Sequence, residues 1–308
     1  MLSIYVLTYN HEKYIAKALD SILMQKTKYS YEILVGEDCS TDGTRKVLET
    51  YEKKYPGKFQ MFYREKNMYG QIPSNASDLR GRCKGKYVIA LEGDDYWLDE
   101  YKIEKQIKFL EEHPEYIGVA HNCMVVDENS EEWDRKYPEC KDEEYTIKHY
   151  VSEIMPGQLA TLMYRNIIKD DSIDTSWLEK GLVPGDRLTY FALVLNGKVK
   201  CVQEIMSAYR LVRPGGCSFT RNYRFDFVVA EKFNLGLIDY SRKLNSKEGI
   251  KYSELLYFKN LMNGIAYKQC GLRDVLKYMK NIEHKIATVF LYITYRFRKN
   301  ILKQTLWV

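Results

Sequence analysis

Short apolar runs alternate with amphipathic helical patterns along the first 113 residues. The runs cover residues 3–7, 31–35, 59–63 and 87–91, and polar, turn-prone segments end most of them. Apolar residues at helical spacing follow the first, second and fourth runs, and the last of these three helices ends before Pro114. This alternation predicts an α/β fold, with a mostly parallel, Rossmann-like central sheet flanked by helices.

Three polar loops follow strands of this predicted sheet. They cover residues 8–10, 36–44 and 92–95. The carboxyl ends of parallel strands meet at one edge of a sheet, and ligands of open α/β sheets bind there. We therefore expect the three loops to form one ligand-binding crevice.

The third loop carries three carboxylates within four residues, at Glu92, Asp94 and Asp95. Clustered carboxylates repel one another and are costly to remove from water. A divalent cation with oxygen ligands removes that penalty. The loop predicts a metal site for a phosphate-bearing ligand; the alternative is a solvated acidic turn that caps the next helix.

The rest of the chain predicts a second, helical part. Further strands are expected at residues 118–126, 158–164, 199–202 and 205–209, and residues 127–150 are expected to form a charged surface loop. Beyond Phe225 the pattern is helical only. With 308 residues, 45% of them hydrophobic, one large domain with an appendage is expected.

Positive charge is concentrated at the end of the chain. Residues 242–308 contain fourteen Lys or Arg and four Asp or Glu. Between Phe290 and Trp307, aromatic and aliphatic side chains stand beside a cluster of basic ones, which predicts an interfacial helix on an anionic membrane. The alternative is an ordinary helix that packs on the sheet or on a second subunit of a homo-oligomer. No nucleic-acid recognition motif accompanies the charge, so nucleic acid is not an expected partner.

The cysteine pattern and the apolar stretches indicate where the protein works. The seven cysteines are scattered, with no metal-ligand spacing, as expected for reduced thiols. No signal peptide is recognised, and the longest apolar stretch, 286–295, is too short to span a bilayer. We expect a cytoplasmic protein, with peripheral attachment to the inner face of a bacterial membrane as a further option.

Several motifs occur together in a fixed order. They are Leu7-Thr8-Tyr9-Asn10, Glu37-Asp38-Cys39-Ser40-Thr41-Asp42-Gly43-Thr44, Asn75, Glu92-Gly93-Asp94-Asp95-Tyr96-Trp97, Gly185-Asp186, and Tyr209-Arg210 before Gly215-Gly216-Cys217-Ser218. In this order they resemble family 2 glycosyltransferases of the GT-A fold, inverting bacterial enzymes that build surface polysaccharides. The resemblance covers about residues 1–220, and it implies a catalytic domain at 1–222 and a helical, basic extension at 223–308.

The resemblance implies transfer of a single hexosyl or N-acetylhexosaminyl group from a nucleotide-sugar, such as a UDP-sugar. The acceptor would be a hydroxyl group of a glycan or a lipid-linked molecule. Mn²⁺ or Mg²⁺ would be held by Asp95, Asp94 or both, while Glu92 takes the first position of the family's Asp-x-Asp pattern. The implied donor-binding residues are Thr8, Tyr9, Asn10, Glu37, Asp38, Asn75, Asp94, Arg210 and Arg213.

Some of these roles have simpler alternatives. Tyr9, expected beside the base, is alternatively a core aromatic at a strand end. Arg213 stands where many relatives have a His, so a third metal ligand is in doubt, and the Gly-rich loop that follows it is alternatively an ordinary turn.

Asp186 is the implied catalytic base. Inversion in one displacement requires a base that takes the proton of the attacking hydroxyl group. Asp186 opens a predicted helix, where it could alternatively serve only as a cap. A helix N-terminus lowers the pKa of a carboxylate, so a base here needs burial to offset that effect.

Two other functions share this architecture. A nucleotidyltransferase usually has a Gly-rich phosphate loop after the first strand, whereas this chain has Thr8-Tyr9-Asn10. A non-catalytic sugar-nucleotide-binding protein is the other alternative, and the presence of both Asp95 and Asp186 argues against it.

Overall fold

The protein is described from a computed structural model, which covers residues 1–134, 136–137, 140–170, 185–211 and 224–301. The chain forms two compact units. The first contains Met1–Tyr145, Met155–Gly181 and Asn196–Ser218, and the second contains Thr146–Ile154, Leu182–Leu195 and Phe219–Val308. The second unit thus takes in two segments from before residue 222, and the predicted domain boundary at that residue stays a prediction.

The first unit is built on one mixed sheet. Its strands are β1 (Leu2–Thr8), β2 (Tyr31–Glu37), β3 (Phe59–Tyr63), β4 (Tyr87–Glu92), β5 (Tyr96–Trp97), β6 (Tyr116–Val126), β7 (Glu144–Tyr145), β8 (Met163–Arg165) and β9 (Lys198–Arg210). They lie in the order β3-β2-β1-β4-β8-β6-β9-β5, with β7 also paired to β9. The pairs among β1 to β4 are parallel, as predicted, and the pairs made by β5, β7 and β8 are antiparallel.

Helices follow the strands in the expected alternation. Those of the first unit are α1 (Ile15–Leu23), α2 (Thr44–Lys54), α3 (Asn75–Arg82) and α4 (Lys102–Glu112). The second unit contains α5 (Ile147–Val151), nearly all of α6 (Gly185–Asn196), α7 (Phe227–Lys243), α8 (Lys247–Ala266), α9 (Leu272–Tyr278) and α10 (Lys285–Ile301). Short 3-10 turns lie at Leu159–Thr161, Ile167–Lys169 and Met279–Asn281.

The core of the first unit lies between its sheet and the helices. Every residue of β1 except Leu7 is buried, because a parallel strand covered on both faces has no solvent side. Ile15, Leu19 and Ile22 give α1 one buried face at helical spacing. Trp97 is fully buried, and its indole nitrogen donates to the Ala160 carbonyl over 3.2 Å.

Three local predictions differ from the structure. The charged segment 127–150 is not only a surface loop, because it contains β7 and most of α5. The strand expected at 158–164 is shortened to β8, since a 3-10 turn precedes it. The two strands expected at 199–202 and 205–209 are one strand, β9, whose pairing with β6 shifts register between Val202 and Ile205.

In the second unit, a buried carboxylate organises the start of α10. Glu254 on α8 is fully buried and accepts hydrogen bonds from the backbone amides of Glu283 (2.7 Å) and His284 (3.2 Å). Amides at a helix start lack partners within the helix, so Glu254 satisfies them from a neighbouring helix. Within the described ranges, no helix is long and apolar enough to cross a membrane.

The buried Lys102 in α4 makes stability depend on pH. Its Nζ atom donates to Gln106 Oε1 over 2.6 Å and lies 4.3 Å from the centre of the Trp97 ring. Burial lowers the pKa of Lys102 well below the usual 10.5. Between the folded and the unfolded pKa, the unfolded chain binds a proton that the folded chain does not, so stability rises with pH in that window.

We therefore expect the free energy of unfolding to increase from pH 7 to pH 9, by at most about 1.4 kcal/mol per pH unit. Lys102→Met should flatten that slope, as measured by urea unfolding. The matched control is Lys108→Met on the exposed face of the same helix, which should leave the slope unchanged. Equal slopes in the wild type and Lys102→Met would contradict the assignment.

Candidate functional site

Strand register brings the three polar loops to one edge of the sheet. Thr8 lies opposite Glu37 in the β1–β2 pair, and Leu7 lies opposite Glu92 in the β1–β4 pair. Backbone hydrogen bonds continue past the strand ends. The Asp38 amide donates to the Thr8 carbonyl (3.0 Å), and the Gly93 amide donates to the Leu7 carbonyl (2.8 Å). The expected common edge is confirmed.

Asn10 ties the first loop to the second. It has a φ of 56°, in the left-handed region that Asn tolerates better than most residues. Its side-chain oxygen accepts from the Thr41 amide over 2.8 Å, and its backbone amide donates to Ser40 Oγ over 3.0 Å. These contacts within the protein fix the conformation of both loops.

Glu37 and Asn75 are occupied by contacts within the protein. The Glu37 carboxylate is fully buried and accepts from Arg45 Nε (2.9 Å) and Nη2 (2.6 Å). Asn75 donates to the Gly36 carbonyl over 3.0 Å and accepts from Arg64 Nε over 3.0 Å. Both side chains hold the second loop in place where it leaves β2.

Asp38 and Tyr9 are half-buried at the same edge. Asp38 Oδ1 accepts from the Met68 amide over 2.7 Å, and the Asp38 carbonyl accepts from Asn67 Nδ2 over 3.1 Å. Burial raises the pKa of Asp38, while the Met68 amide and the Arg64 charge oppose the shift. Solvent still reaches both side chains, so they remain able to contact a ligand.

Asp95 is locked inside the protein. It is 1% exposed, and it accepts from the Arg210 backbone amide at Oδ1 (2.7 Å) and from Gln158 Nε2 at Oδ2 (2.6 Å). Burial raises its pKa well above the usual value, and the neighbouring carboxylates of Asp94 and Glu92 act in the same direction. Each Asp95 oxygen has a donor within the protein, and almost no solvent reaches the carboxylate.

Arg210 holds the acidic loop through its side chain. Its guanidinium group donates to the Asp94 carbonyl (2.8 Å), the Asp127 carbonyl (2.7 Å) and Ser130 Oγ (3.0 Å). It also lies 4.3 Å from the centre of the Tyr14 ring, within cation–π range. These contacts position the loop, so a direct contact of Arg210 with a donor stays a prediction.

Asp94 is the more accessible of the two aspartates. Its side chain is 27% exposed, and no described residue donates a hydrogen bond to its carboxylate. Beside it, the Thr8 hydroxyl is buried without a hydrogen-bond partner in the described chain. A Cβ atom at Gly93 would lie 2.8 Å from that hydroxyl, so only glycine fits between Thr8 and the loop.

Sequence patterns missed two residues of this cluster, Gln158 and His11. Gln158 was assigned to a strand, but it begins a 3-10 turn and also donates to Glu92 Oε2 over 3.2 Å. The only sequence signal was an amide side chain inside an apolar run. His11 follows Asn10 directly and lies beside Asp94, so its position in the first loop was the available signal.

Asp186 lies in the first turn of α6, in the second unit. Solvent reaches Asp186 at the surface of the protein. Many protein atoms nevertheless surround its carboxylate, and the resulting desolvation raises the pKa of Asp186. The Arg187 amide, which donates to Asp186 Oδ1 over 2.7 Å, and the Arg187 charge oppose the shift. Desolvation thus outweighs the pKa lowering expected at a helix start. Arg213 and the Gly-rich loop after it lie outside the described residues.

Residues 3–179 match the description Glycosyl transferase family 2. The chain belongs to this family. An uncharacterized protein of Mycobacterium tuberculosis is 29% identical to this family 2 member over 215 residues, covering 68% of this chain and 58% of its own. The chain therefore spans less than two thirds of that relative.

Two named relatives match shorter segments of this family 2 chain. The putative teichuronic acid biosynthesis glycosyltransferase TuaG of Bacillus subtilis is 35% identical over 112 residues, 36% of this chain and 42% of its own. Poly(ribitol-phosphate) beta-N-acetylglucosaminyltransferase TarS of Staphylococcus aureus is 33% identical over 112 residues, 36% of this chain and 19% of its own. The crystal structure of S. aureus TarS 1–349 with UDP-GlcNAc has a TM-score of 0.61 at 20% identity, covering 94% of this chain and 81% of that one. At this identity the likeness shows a shared fold.

Gln158→Leu tests whether the hydrogen bond from Gln158 to Asp95 stabilises this family 2 chain. The substitution removes the donor to Asp95 Oδ2 and the acceptor for the Ala160 amide, which is 2.6 Å from Gln158 Oε1. Leaving buried polar groups without partners should lower the free energy of unfolding by about 2–3 kcal/mol, as measured by urea unfolding.

The matched control is Gln60→Leu. Gln60 is exposed and also donates to a carboxylate, Glu32 Oε2, over 3.1 Å. Its loss should change stability by about 0.5 kcal/mol or less. Similar losses for the two variants would show that the Asp95 contact is not stabilising.

Proposed function

We propose that the protein is an inverting, metal-dependent glycosyltransferase. It transfers one sugar from a UDP-sugar to a hydroxyl group of a glycan or lipid-linked acceptor in cell-surface polysaccharide synthesis. The observation that carries the proposal is the meeting of three loops at one sheet edge, where accessible Asp94 lies on a loop anchored by buried Asp95. The names of TuaG and TarS support a surface polymer as the product.

The residues at this edge fit a divalent cation. Asp94 offers a carboxylate to which no described residue donates a hydrogen bond, whereas both oxygens of Asp95 accept hydrogen bonds. We therefore assign the direct metal contact to Asp94, and Asp95 supports the loop that carries it. When bound, Mn²⁺ or Mg²⁺ stabilises the negative charge that develops on a departing diphosphate.

The nucleotide side of the proposed site lies around Asp38 and Tyr9. The Asp38 carboxylate can accept a hydrogen bond from a ribose hydroxyl or a base N–H, and the Tyr9 ring offers a surface for the base. Thr8 and Asn10 belong to the same loop. Glu37 and Asn75 act behind these residues by holding the second loop in place.

Asp186 is the proposed base. In a single displacement, the acceptor oxygen attacks the anomeric carbon as the bond to the diphosphate breaks. Asp186 takes the proton of the attacking hydroxyl group, and the configuration at the carbon is inverted. Desolvation raises the pKa of Asp186, and this makes its carboxylate a stronger base.

Two substitutions separate donor binding from chemistry. We expect wild type to bind UDP with Mn²⁺ and to lose that binding in EDTA, as measured by calorimetry. Asp94→Asn should lose the metal-dependent part of the binding. Asp186→Asn should bind UDP normally, but its release of UDP from UDP-GlcNAc should fall at least about 100-fold, because general-base catalysis is lost.

The matched control is Asp239→Asn, an exposed position in the second unit, which should bind and turn over normally. Normal turnover by Asp186→Asn would refute the assignment of Asp186 as the catalytic base. If wild type binds none of UDP, GDP and dTDP, with or without Mn²⁺, the proposed function is wrong.

The proposed acceptor side includes a membrane contact through α10. Four of its apolar side chains are exposed at helical spacing: Ile286, Phe290, Ile293 and Phe297. Ile286 is 88% exposed and Phe290 is 69% exposed, so the described residues leave the stripe that they form uncovered. The other side of α10, including Val289 and Tyr292, packs into the core of the second unit.

Charge supports an anionic bilayer, rather than a second copy of the chain, as the surface that we propose for the α10 stripe. Residues 285–308 contain five Lys or Arg and no Asp or Glu. Two copies of this segment would repel each other if they paired, whereas anionic headgroups attract it. An apolar stripe on a basic helix is the pattern of interfacial helices.

A variant with Ile286→Ser and Phe290→Ser tests this contact in the full chain. Wild type should co-sediment with vesicles rich in phosphatidylglycerol and much less with pure phosphatidylcholine vesicles. The variant should lose most of the binding, since two apolar anchors are gone.

The control variant carries Val228→Ser and Val229→Ser, an exposed apolar pair on α7, and should bind as wild type does. Equal binding of the α10 variant and wild type would refute the contact. Loss of self-association in the α10 variant, without vesicle binding by wild type, would assign the stripe to a second copy instead.

A further inference from the structure

His11 lies beside the carboxylate assigned to the metal. Its Nε2 atom is 3.7 Å from Asp94 Oδ2, and its side chain is only 15% exposed. This separation is too long for a hydrogen bond. It falls within the roughly 3–4 Å that separates two ligands of one ion when each is about 2.1 Å from the metal.

The backbone around His11 is fixed on both sides. Its amide donates to Thr44 Oγ1 over 2.8 Å, and its carbonyl accepts from the Tyr14 and Ile15 amides, both over 2.9 Å. The ring lies against Gly93, where an added Cβ would be 2.9 Å from His11 Nδ1. The position of the imidazole is thus set by the start of α1 and by the acidic loop.

Two buried polar atoms around Gly93 lack hydrogen-bond partners in the described chain. They are His11 Nδ1 and Thr8 Oγ1, and Thr8 is only 2% exposed. Buried polar groups are normally paired, because leaving one unpaired costs about 1–3 kcal/mol. Of the two, the Thr8 hydroxyl can pair with water or with a ligand bound beside the acidic loop, whereas His11 Nδ1 faces Gly93.

We propose that His11 Nε2 and Asp94 together bind the divalent cation of the donor complex, as a mixed nitrogen and oxygen pair. The proposal rests on the glycosyltransferase function proposed above. Among the described residues, no third His, Cys, Asp or Glu joins this pair within 4.8 Å. The remaining positions are left to diphosphate oxygens and water, as is usual for Mg²⁺ and Mn²⁺ at phosphate sites.

The imidazole predicts which ion the site prefers. Mg²⁺ is a small, hard ion that strongly prefers oxygen ligands, whereas Mn²⁺, a larger first-row transition-metal ion, accepts an imidazole nitrogen more readily. Mn²⁺ should therefore bind more tightly than Mg²⁺ in the presence of UDP. Removal of the imidazole should weaken Mn²⁺ binding more than Mg²⁺ binding.

Electron spin echo spectroscopy of Mn²⁺ with UDP on the full chain tests the nitrogen ligand directly. Wild type should show the ¹⁴N coupling of a coordinated imidazole. His11→Ala should lose that coupling, and its Mn²⁺ affinity with UDP should fall at least about tenfold. His11→Glu, which offers an oxygen in place of the nitrogen, should regain Mn²⁺ binding without ¹⁴N coupling.

The chain has five histidines, so a matched control is available. The His113 side chain is 44% exposed and lies outside the proposed site, and His113→Ala should keep both the coupling and the affinity. A wild-type complex that binds Mn²⁺ and UDP without ¹⁴N coupling overturns the role of His11 and leaves the glycosyltransferase proposal standing. Coupling that persists in His11→Ala overturns it as well. Failure of wild type to bind UDP at all overturns both proposals.

Discussion

The buried carboxylate of Asp95 is the constraint on which the proposed site depends. Its two oxygens are held by an amide of β9 and by the Gln158 side chain, so the loop that follows β4 has one position. The Arg210 side chain strengthens the same junction through the Asp94 carbonyl. The adjacent Asp94 carboxylate is 27% exposed and accepts no hydrogen bond from a described residue.

The site therefore divides its carboxylates by environment rather than by residue type. Glu37 and Asp95 are buried and hydrogen-bonded, and each anchors a loop. Asp38 directly follows Glu37, Asp94 directly precedes Asp95, and both keep solvent access. Asp94 lies in a turn closed by a hydrogen bond from the Asp95 amide to the Glu92 carbonyl, 3.0 Å long, and its carboxylate is more exposed than that of the anchored Asp95.

Local patterns in the sequence predicted β1 to β4 and the helices between them, because strand and helix periods are visible within a few residues. They also placed the three loops at one edge, since parallel strands leave no other arrangement. They could not predict the roles of Gln158 or the Arg210 amide, which depend on contacts with residues far away in the chain. Nor could they show that β9 is continuous, because a register shift in its pairing with β6 looks like a break between two strands.

The contacts of Asp95 also bear on the order of folding. They join residues separated by 63 and 115 positions, and both partners follow the acidic loop in the chain. During synthesis, the repeated β-α segments before residue 113 can pair locally, whereas the acidic loop waits for β9 before its anchor exists. A nascent chain thus carries the three clustered carboxylates without their final geometry, and the proposed ion site is complete only once the second half of the sheet has formed.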